Sequence, residues 1–274
     1  NKAINTPVLG ADAIVNGAMA ADTDWTKGAG WAIAAGVATA TAATSNLDAA
    51  VAPLTLGEWY QTAFTISGFV GGTAKIVLGG LSFPTHGSNA TFTETGRAGS
   101  TAFAITAAGA TLSVDDVSAK VVTLSELMAS ISVSTQDVVA EVAVTLSGGT
   151  AGLQAGFVLN LDSAATPANF VLAYLDGRGN VVLEKCVAGT WTIVLTSAIT
   201  YSAGAVFRVT KRGTKYRMFY GTGAIGAEQT ISDAGITDNT LHGLFCTSAL
   251  NSLDGFTLWP SGSAGNEYTD LDSY

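Results

Sequence analysis

The stretch LSVDDVSAKVVTLSELMASISV, residues 112–133, lies between one β-rich half of the chain and the next. Its segment 114–119 has an echo at 253–258, and both follow the order apolar, Asp, small or acidic, apolar, polar, apolar. Side chains alternate faces along a strand, so apolar residues at the first, fourth and sixth positions require one extra residue at the Asp. The pattern therefore predicts a β-bulge in each of two closing strands, and two closing strands predict two β-sandwich domains in series.

Length and composition are typical of globular β-domains that carry few charges. The 274 residues exceed the roughly 100–150 typical of one domain, which favours two. Charged residues make up 12% of the chain, about half of the usual ~25%. We therefore predict an N-terminal arm or linker over 1–11, antiparallel jelly-roll-like sandwiches over 12–123 and 124–260, and a polar tail over 261–274.

Charge, hydropathy and cysteine content restrict the classes of partner and compartment. A net charge of −9 provides no attraction for phosphates, so nucleic acid is not expected as a partner. The charge-free run within 27–48 is rich in Ala, Thr and Gly, and no membrane insertion is expected. Cys186 and Cys246 are predicted to be buried thiols, with a disulfide as the alternative. The chain starts without Met and without a basic and apolar leader, which indicates a mature form or a fragment.

Alternating side chains predict most of the strands. Tyr60, Thr62, Phe64 and Ile66 share one face of a strand, and Gly71-Gly72 is predicted to form the hairpin turn that follows. The Ala-rich run 31–46 is predicted to form two short strands, with Trp31 in the core. In the second half, the even-numbered residues of 138–146 point one way. Further strands are predicted at 157–161, 170–175, 181–187, 191–195, 205–211, 215–220 and 241–246.

Several of these stretches resemble known families of β-sandwich. Asn16-Gly17, Trp31, the run 60–68 and the closing 114–118 resemble carbohydrate-binding-module-like jelly rolls. GFVLNLD (156–162), the run 169–185, FRVTKRGTKYRMFYGTG (207–223) and the run 241–258 look like a concanavalin-A-like or laminin-G-like sandwich. Pairs of such modules in Ala-, Thr- and Gly-rich chains of low charge are similar to those of phage tail fibres and other virion appendages.

The resemblance implies a non-catalytic structural and adhesive protein of a phage virion or tail surface. Such a protein would be located on the virion or outside the cell, with other virion proteins and cell-surface glycans as partners. It would assemble as a homo-oligomer, often a trimer. The alternative is an accessory carbohydrate-binding region of a secreted glycoside hydrolase, which is expected to be monomeric.

Jelly rolls of this type often hold a structural Ca²⁺ through an acidic residue shortly after the Asn-Gly. Here Asn16-Gly17 is followed by the uncharged residues 18–21, so that carboxylate is missing. Because Ca²⁺ takes about six to eight oxygen ligands, other carboxylates would have to replace it. The candidates are Asp22, Asp24, Asp115 and Asp116. The alternative is that these aspartates form turns and bond to backbone amides, and no other cofactor is expected.

Sugar binding by a sandwich generally needs an aromatic face with polar groups beside it. The candidate aromatic residues are Trp25, Trp59 and Tyr60 in the first domain and Tyr174, Trp191 and Tyr201 in the second. Most aromatic residues of a sandwich belong to its core, and a core position is the alternative for each of the six.

A predicted hairpin holds five of the twelve cations, namely Arg208, Lys211, Arg212, Lys215 and Arg217. Arg208, Lys215 and Arg217 alternate with apolar residues, so we expect a solvated outer face there. An acidic partner surface or an anionic glycan is the alternative role. Because the net charge offers little long-range attraction, recognition is expected from exposed aromatic residues rather than from this hairpin.

No group of residues indicates catalysis. His86 and His242 belong to different predicted domains, and no recognisable nucleophile accompanies either. Sandwich glucanases carry carboxylates at alternate positions of one strand, whereas Glu141 stands alone and Glu184 lies beyond a turn. An enzyme is therefore not expected, and a sandwich glucanase is the third alternative.

Overall fold

The computed structural model describes residues 8–147 and 154–261. These residues divide into two compact units, the first formed by 8–123 and the second by 124–147 with 154–261. Nearly all of the regular structure is β, and neighbouring strands pair antiparallel in both units. The predicted all-β, antiparallel class is confirmed.

The first unit is a single hydrogen-bonded sheet of nine strands. Its strands are β1 (Leu9–Asp12), β2 (Trp25–Lys27), β3 (Trp31–Ala34), β4 (Val37–Ala43), β5 (Asn46–Ala49), β6 (Trp59–Leu78), β7 (Leu81–Ser82), β8 (Ala90–Arg97) and β9 (Phe103–Val122). The closing strand β9 pairs with β1, β4, β5 and β6, so the other strands are arranged around it. Strand β1 begins at Leu9 and so overlaps the end of the predicted N-terminal arm or linker over 1–11.

The two 20-residue strands β6 and β9 bend together. Their register shifts between Ser67 and Thr73, and a Cβ on Gly72 would lie only 2.2 Å from the carbonyl oxygen of Gly109. The predicted hairpin at Gly71-Gly72 is therefore wrong, because the glycines mark a bend within one long strand. Residues on both sides of the bend, including Phe64 and Ile76, belong to one hydrophobic core.

The Ala-rich region of the first unit has the predicted structure. Strands β3 and β4 form a hairpin whose turn residues, Ala35 and Gly36, have φ values of 53° and 80°. Trp31 is buried, and its indole N–H donates to the carbonyl of Ser45 at 2.8 Å. The prediction of two short strands with Trp31 in the core is confirmed.

The second unit consists of two sheets packed face to face. Its strands are β10 (Met128–Ser132), β11 (Val138–Thr145), β12 (Ala155–Leu161), β13 (Phe170–Leu175), β14 (Asn180–Val187), β15 (Thr190–Ala198), β16 (Ala205–Arg212), β17 (Lys215–Tyr220), β18 (Gly223–Thr230), β19 (Leu241–Cys246) and β20 (Ser252–Pro260). The sheet orders are β10-β19-β12-β13-β14-β15 and β18-β17-β16-β11-β20. A 3-10 turn spans Leu124–Leu127, and the short helix α1 spans Ala234–Thr237. Every strand predicted in this half is present, and β10 and β18 are additional ones.

The core of the second unit lies between the two sheets. The rings of Phe157 on β12 and Phe207 on β16 are 5.2 Å apart. Cys186 and Cys246 are buried thiols that do not form a disulfide, as predicted. Within the part of the chain that the structure describes, no helix is long and apolar enough to cross a membrane.

Both closing strands contain the predicted bulge. In β9, the segment from Asp115 to Ser118 is one residue longer than the segment of β6 with which it pairs. In β20, the segment from Asp254 to Thr257 is likewise one residue longer than its partner segment in β11. The carboxylate of Asp115 accepts from the next N–H at 2.7 Å, and that of Asp254 does the same at 2.9 Å. The next residue has a positive φ in both strands, 50° at Asp116 and 62° at Gly255.

The equivalence of the two bulges predicts that Gly255→Ala and Gly255→Asp destabilise the second unit by different amounts. A Cβ on Gly255 would meet nothing within 4 Å, so Gly255→Ala should cost only the left-handed backbone, about 1–2 kcal/mol. Gly255→Asp should cost less, because Asp116 occupies the equivalent position in β9. Urea unfolding followed by hydrogen exchange of 124–261 measures both losses. Equal stability of Gly255→Ala and the original protein would contradict the prediction.

Candidate ligand-binding site

Four of the six candidate aromatic residues lie in the core. Trp25, Trp59, Tyr60 and Tyr174 are at most 6% exposed. The hydroxyl of Tyr60 accepts from the N–H of Thr55 at 2.9 Å, and that of Tyr174 donates to Glu184 at 3.2 Å. A buried ring cannot offer its face to a ligand in solution, so these four residues are corrected to structural ones.

The two remaining candidates are half-buried and lie on different elements. Trp191 is on β15, where it packs edge-on against Phe170 with the ring centres 5.3 Å apart. Tyr201 lies in the connection between β15 and β16. Tyr201 lines a cleft of the second unit, and the other five candidates are not among the residues that line this cleft.

This cleft has a volume of about 360 Å³. Its lining residues come just before, within or just after strand ends, so the cleft lies at one end of the second unit. They are Leu146, Leu175, Gly177, Arg178, Gly179, Asn180, Ile199 and Tyr201. Segments distant in sequence therefore form a single concave surface.

The turn between β13 and β14 forms the polar side of the cleft. One oxygen of Asp176 accepts from the N–H groups of Arg178 and Asn180 at 2.7 and 3.0 Å. Its other oxygen accepts from the side-chain amide of Asn180 at 2.8 Å. Gly177 and Gly179 have φ values of 68° and 85°, which glycine adopts without strain. These bonds from Asp176 define the conformation of the turn.

Tyr201 is held in position by its own hydroxyl and by its chain neighbours. The hydroxyl accepts from the N–H of Leu146 at 2.8 Å. The next residue, Ser202, bonds through its N–H and carbonyl to the hydroxyl of Tyr220 at 2.9 and 2.8 Å. Burial raises the pKa of Tyr220, so this hydroxyl stays protonated near neutral pH. These bonds fix the Tyr201 ring beside the cleft.

The cleft combines the chemical groups that a saccharide needs. The apolar side chains of Leu146, Leu175 and Ile199 are available to the carbon-bearing face of a sugar. The ring of Tyr201 can stack on that face, while Arg178 and Asn180 carry polar groups that hydrogen-bond to hydroxyls. Pockets with an apolar lining and a few convergent polar groups are typical ligand sites.

Most residues that line the cleft were not among the candidates predicted from the sequence, although one feature of Tyr201 could have indicated it. Among the six aromatic candidates, Tyr201 is the one that lies outside the strands. Arg178 and Asn180 belong to a segment recognised only as a turn. Ligand-binding residues are frequent on loops held by a rigid scaffold, so an aromatic residue in a connection was the stronger candidate.

Among the described residues, no three of the predicted Ca²⁺ ligands Asp22, Asp24, Asp115 and Asp116 lie together as a group. Asp22 forms an ion pair with Lys27, Asp24 accepts from the hydroxyl of Thr23 at 2.8 Å, and Asp115 caps the bulge. The amide of Asn16 donates to the carbonyls of Ala21 and Thr23 in the same segment. Within 8–147 and 154–261, no three acidic, His or Cys side chains are grouped to hold a metal.

A buried polar network connects strands of both sheets in the second unit. Asn160 donates through its amide to the carbonyl of Asn239 at 2.7 Å and accepts from the Tyr216 hydroxyl at 2.8 Å. The N–H of Asn160 donates to Nδ1 of His242 at 3.3 Å. Burial lowers the pKa of His242 to about 4, an effect that the nearby Lys211 strengthens. His242 is therefore neutral at physiological pH.

Comparison with known proteins gives weak structural likenesses only. No protein-family model matches the sequence, and no curated protein is similar to it. A carbohydrate-binding module, CBM66, from Bacillus subtilis is 16% identical, with a TM-score of 0.37 over 47% of this chain and 76% of that one. The GH43 protein BlXynB from Bacillus licheniformis is 15% identical, with a TM-score of 0.37 over 46% of this chain and 28% of that one. Sheep galectin-11 is 11% identical, with a TM-score of 0.36 over 48% of this chain and 96% of that one.

Proposed function

We propose that this chain is a non-catalytic adhesive protein that binds a glycan in the cleft beside Tyr201. The observation that carries the proposal is the ring of Tyr201, fixed next to the Asp176-ordered turn and the apolar residues of the cleft. A volume of about 360 Å³ lies near the lower end of the roughly 300–1,000 Å³ typical of ligand pockets. The expected ligand is therefore a short, neutral saccharide.

The non-catalytic part of the proposal is supported by where the carboxylates lie. Glu141 is on the outer face of the five-stranded sheet, ion-paired with Arg208. Glu184 is buried on the face of the six-stranded sheet that points away from the five-stranded one, and it accepts from the Tyr174 hydroxyl. Stacked sheets are about 10 Å apart, and the two carboxylates lie on opposite sides of both sheets. They cannot act together on one glycosidic bond, which needs carboxyl groups about 5–9.5 Å apart.

The biological setting that we propose is the surface of a phage virion or tail. It is supported by the composition, since paired modules of low charge rich in Ala, Thr and Gly are similar to those of virion appendages. In this setting we expect a homotrimer that contacts other virion proteins. An accessory region of a secreted glycoside hydrolase is expected to be monomeric, so the mass measured by light scattering separates the two settings.

Removing the ring of Tyr201 should abolish most glycan binding. Losing an aromatic anchor commonly costs about 2 kcal/mol or more, which corresponds to a loss of about 30-fold in affinity for Tyr201→Ala. Tyr201→Phe keeps the ring but loses the hydroxyl that accepts from Leu146, so it should lose less affinity than Tyr201→Ala. A glycan array of neutral oligosaccharides identifies a ligand, and titration calorimetry then measures the affinity of each variant. The same oligosaccharides should not be hydrolysed.

Trp191→Ala is the matched control, since Trp191 is a half-buried aromatic residue that does not line the cleft. It should bind like the original protein. Normal binding by Tyr201→Ala, or an array without any ligand, would contradict the proposed site.

A further inference from the structure

A row of cations lies on the outer face of the five-stranded sheet, away from the cleft residues. We define the cationic strip as Arg208, Thr210 and Arg212 of β16 with Lys215, Arg217 and Phe219 of β17. Arg208 lies opposite Phe219, Thr210 opposite Arg217, and Arg212 opposite Lys215. The alternate residues of both strands are buried, namely Phe207, Val209, Lys211, Tyr216 and Met218. The strip therefore points outward, as predicted for Arg208, Lys215 and Arg217.

Lys211 does not belong to this surface. It is fully buried, and its ammonium lies 2.8 Å from a carboxylate oxygen of Asp137 and 2.9 Å from the carbonyl of Thr237. Four of the five hairpin cations thus face outward, and the fifth belongs to the polar network of the core.

The guanidinium groups of the strip are oriented by neighbouring groups. Those of Arg208 and Arg217 each lie 5.9 Å from the ring centre of Phe219. Arg217 also donates to the carbonyl of Gly226 at 2.8 Å, and Arg212 donates to the hydroxyl of Ser261 at 2.8 Å. A planar guanidinium carries five N–H donors that match carboxylate and sulfate oxygens, so an oriented one is suited to such anions.

The strip is positive although the chain is strongly negative. Within the described residues, Arg208 pairs with Glu141 and Lys215 lies 3.7 Å from Glu228, so the strip presents four cationic side chains beside these two carboxylates. The whole chain carries −9 and therefore repels anions at long range. An anion that binds here must do so through local contacts with the strip.

We infer that the cationic strip binds an anionic polysaccharide that carries carboxylate or sulfate groups. Arg208 and Arg212 are four residues apart, which places them about 14 Å apart along the strand and suits charges repeated along a polymer. Thr210 lies between Arg208 and Arg212 and can bond to hydroxyls, while the ring of Phe219 lies opposite Arg208 and can pack on a sugar ring. Acidic peptides usually also bury apolar side chains, and the strip offers only the ring of Phe219 for this. The site uses other residues than the cleft and does not depend on the function proposed for it.

The test is binding of polygalacturonate, heparin and neutral dextran to the whole chain at low and moderate salt. The double variant Arg212→Gln, Lys215→Gln removes two charges from exposed positions where little packing is lost. We expect at least about a tenfold weaker binding of one or both anionic polymers and a smaller salt dependence, because fewer counter-ions are released. Dextran should not bind to the strip.

Three other variants test whether the effect is specific to the strip. Lys27→Gln with Lys75→Gln removes the same net charge from the first unit and should leave binding unchanged. Arg217→Lys keeps the charge but loses the planar donor group, and it should weaken binding. Tyr201→Ala should bind the anionic polymers normally, so failure of this inference is distinguishable from failure of the cleft proposal.

Three results would overturn the inference. In the first, neither anionic polymer binds the original protein. In the second, the first-unit control loses as much affinity as the strip variant, so that only net charge matters. In the third, polyglutamate competes as well as the polysaccharides, which would identify an acidic protein surface as the partner.

Discussion

Asp137→Ala is expected to destabilise the second unit by about 3–5 kcal/mol, because it leaves a fully buried ammonium without its counter-ion. The Lys211 ammonium lies 2.8 Å from Asp137, and the same carboxylate oxygen accepts from the N–H of Gly213 at 2.9 Å. Removing the carboxylate thus breaks the bond to Gly213 as well as the ion pair. Hydrogen exchange in urea measures the loss over 124–261, with 8–123 as the internal reference.

The matched variants separate the charge from the packing. Lys211→Met fills a similar volume without charge, and Asp137 is 29% exposed, so water can solvate the remaining carboxylate. Lys211→Met should therefore lose less stability than Asp137→Ala, since replacing buried ionic groups by apolar ones is often tolerated. The double variant Asp137→Ala, Lys211→Met should be more stable than Asp137→Ala alone. An Asp137→Ala loss no larger than that of Lys211→Met would show that the buried charge is not the cause.

Acidification from pH 6.5 to about 4 is expected to cost the second unit up to about 3 kcal/mol through His242 alone. Burial lowers the pKa of His242 to about 4 in the folded state, whereas an unfolded chain binds the proton near the ordinary value of 6.5. The unfolded state therefore holds more protons across this window. The stabilisation is complete above pH 6.5 and is lost as the pH falls towards 4.

His242→Gln is the control for this prediction, because glutamine keeps a hydrogen-bond acceptor and does not titrate. The stability of this variant should hardly change between pH 6.5 and 5, because the titrating imidazole has been removed. The first unit should respond in the opposite direction through Glu94, whose pKa is raised by burial, so its stability falls as the pH rises above 4.5. A His242→Gln variant with the same pH dependence as the original protein would contradict the assignment to His242.

The strands of the second unit could be predicted because alternation is a local property of the chain. Phe207, Val209, Tyr216 and Met218 are buried as their spacing requires. The two bulges were predictable for the same reason, since the change of parity at Asp115 and Asp254 is visible within six residues. Each of these features depends on neighbours in sequence, so no knowledge of distant segments was needed.

The candidate site depended on contacts that no local pattern contains. Tyr174 and Tyr201 are similar aromatic residues in the sequence, yet one is buried in a sheet and the other lines a cleft formed by several connections. Lys211 points to the same face of β16 as Val209. Its charge can be buried there because Asp137, 74 residues away in the sequence, supplies the counter-charge. Gly71-Gly72 is typical of a hairpin turn in the sequence, but β6 pairs with β9 on both sides of Gly72, so this residue lies at a bend within one strand. Periodicity specifies how a strand divides its side chains between two faces, whereas burial depends on which distant segment covers each face.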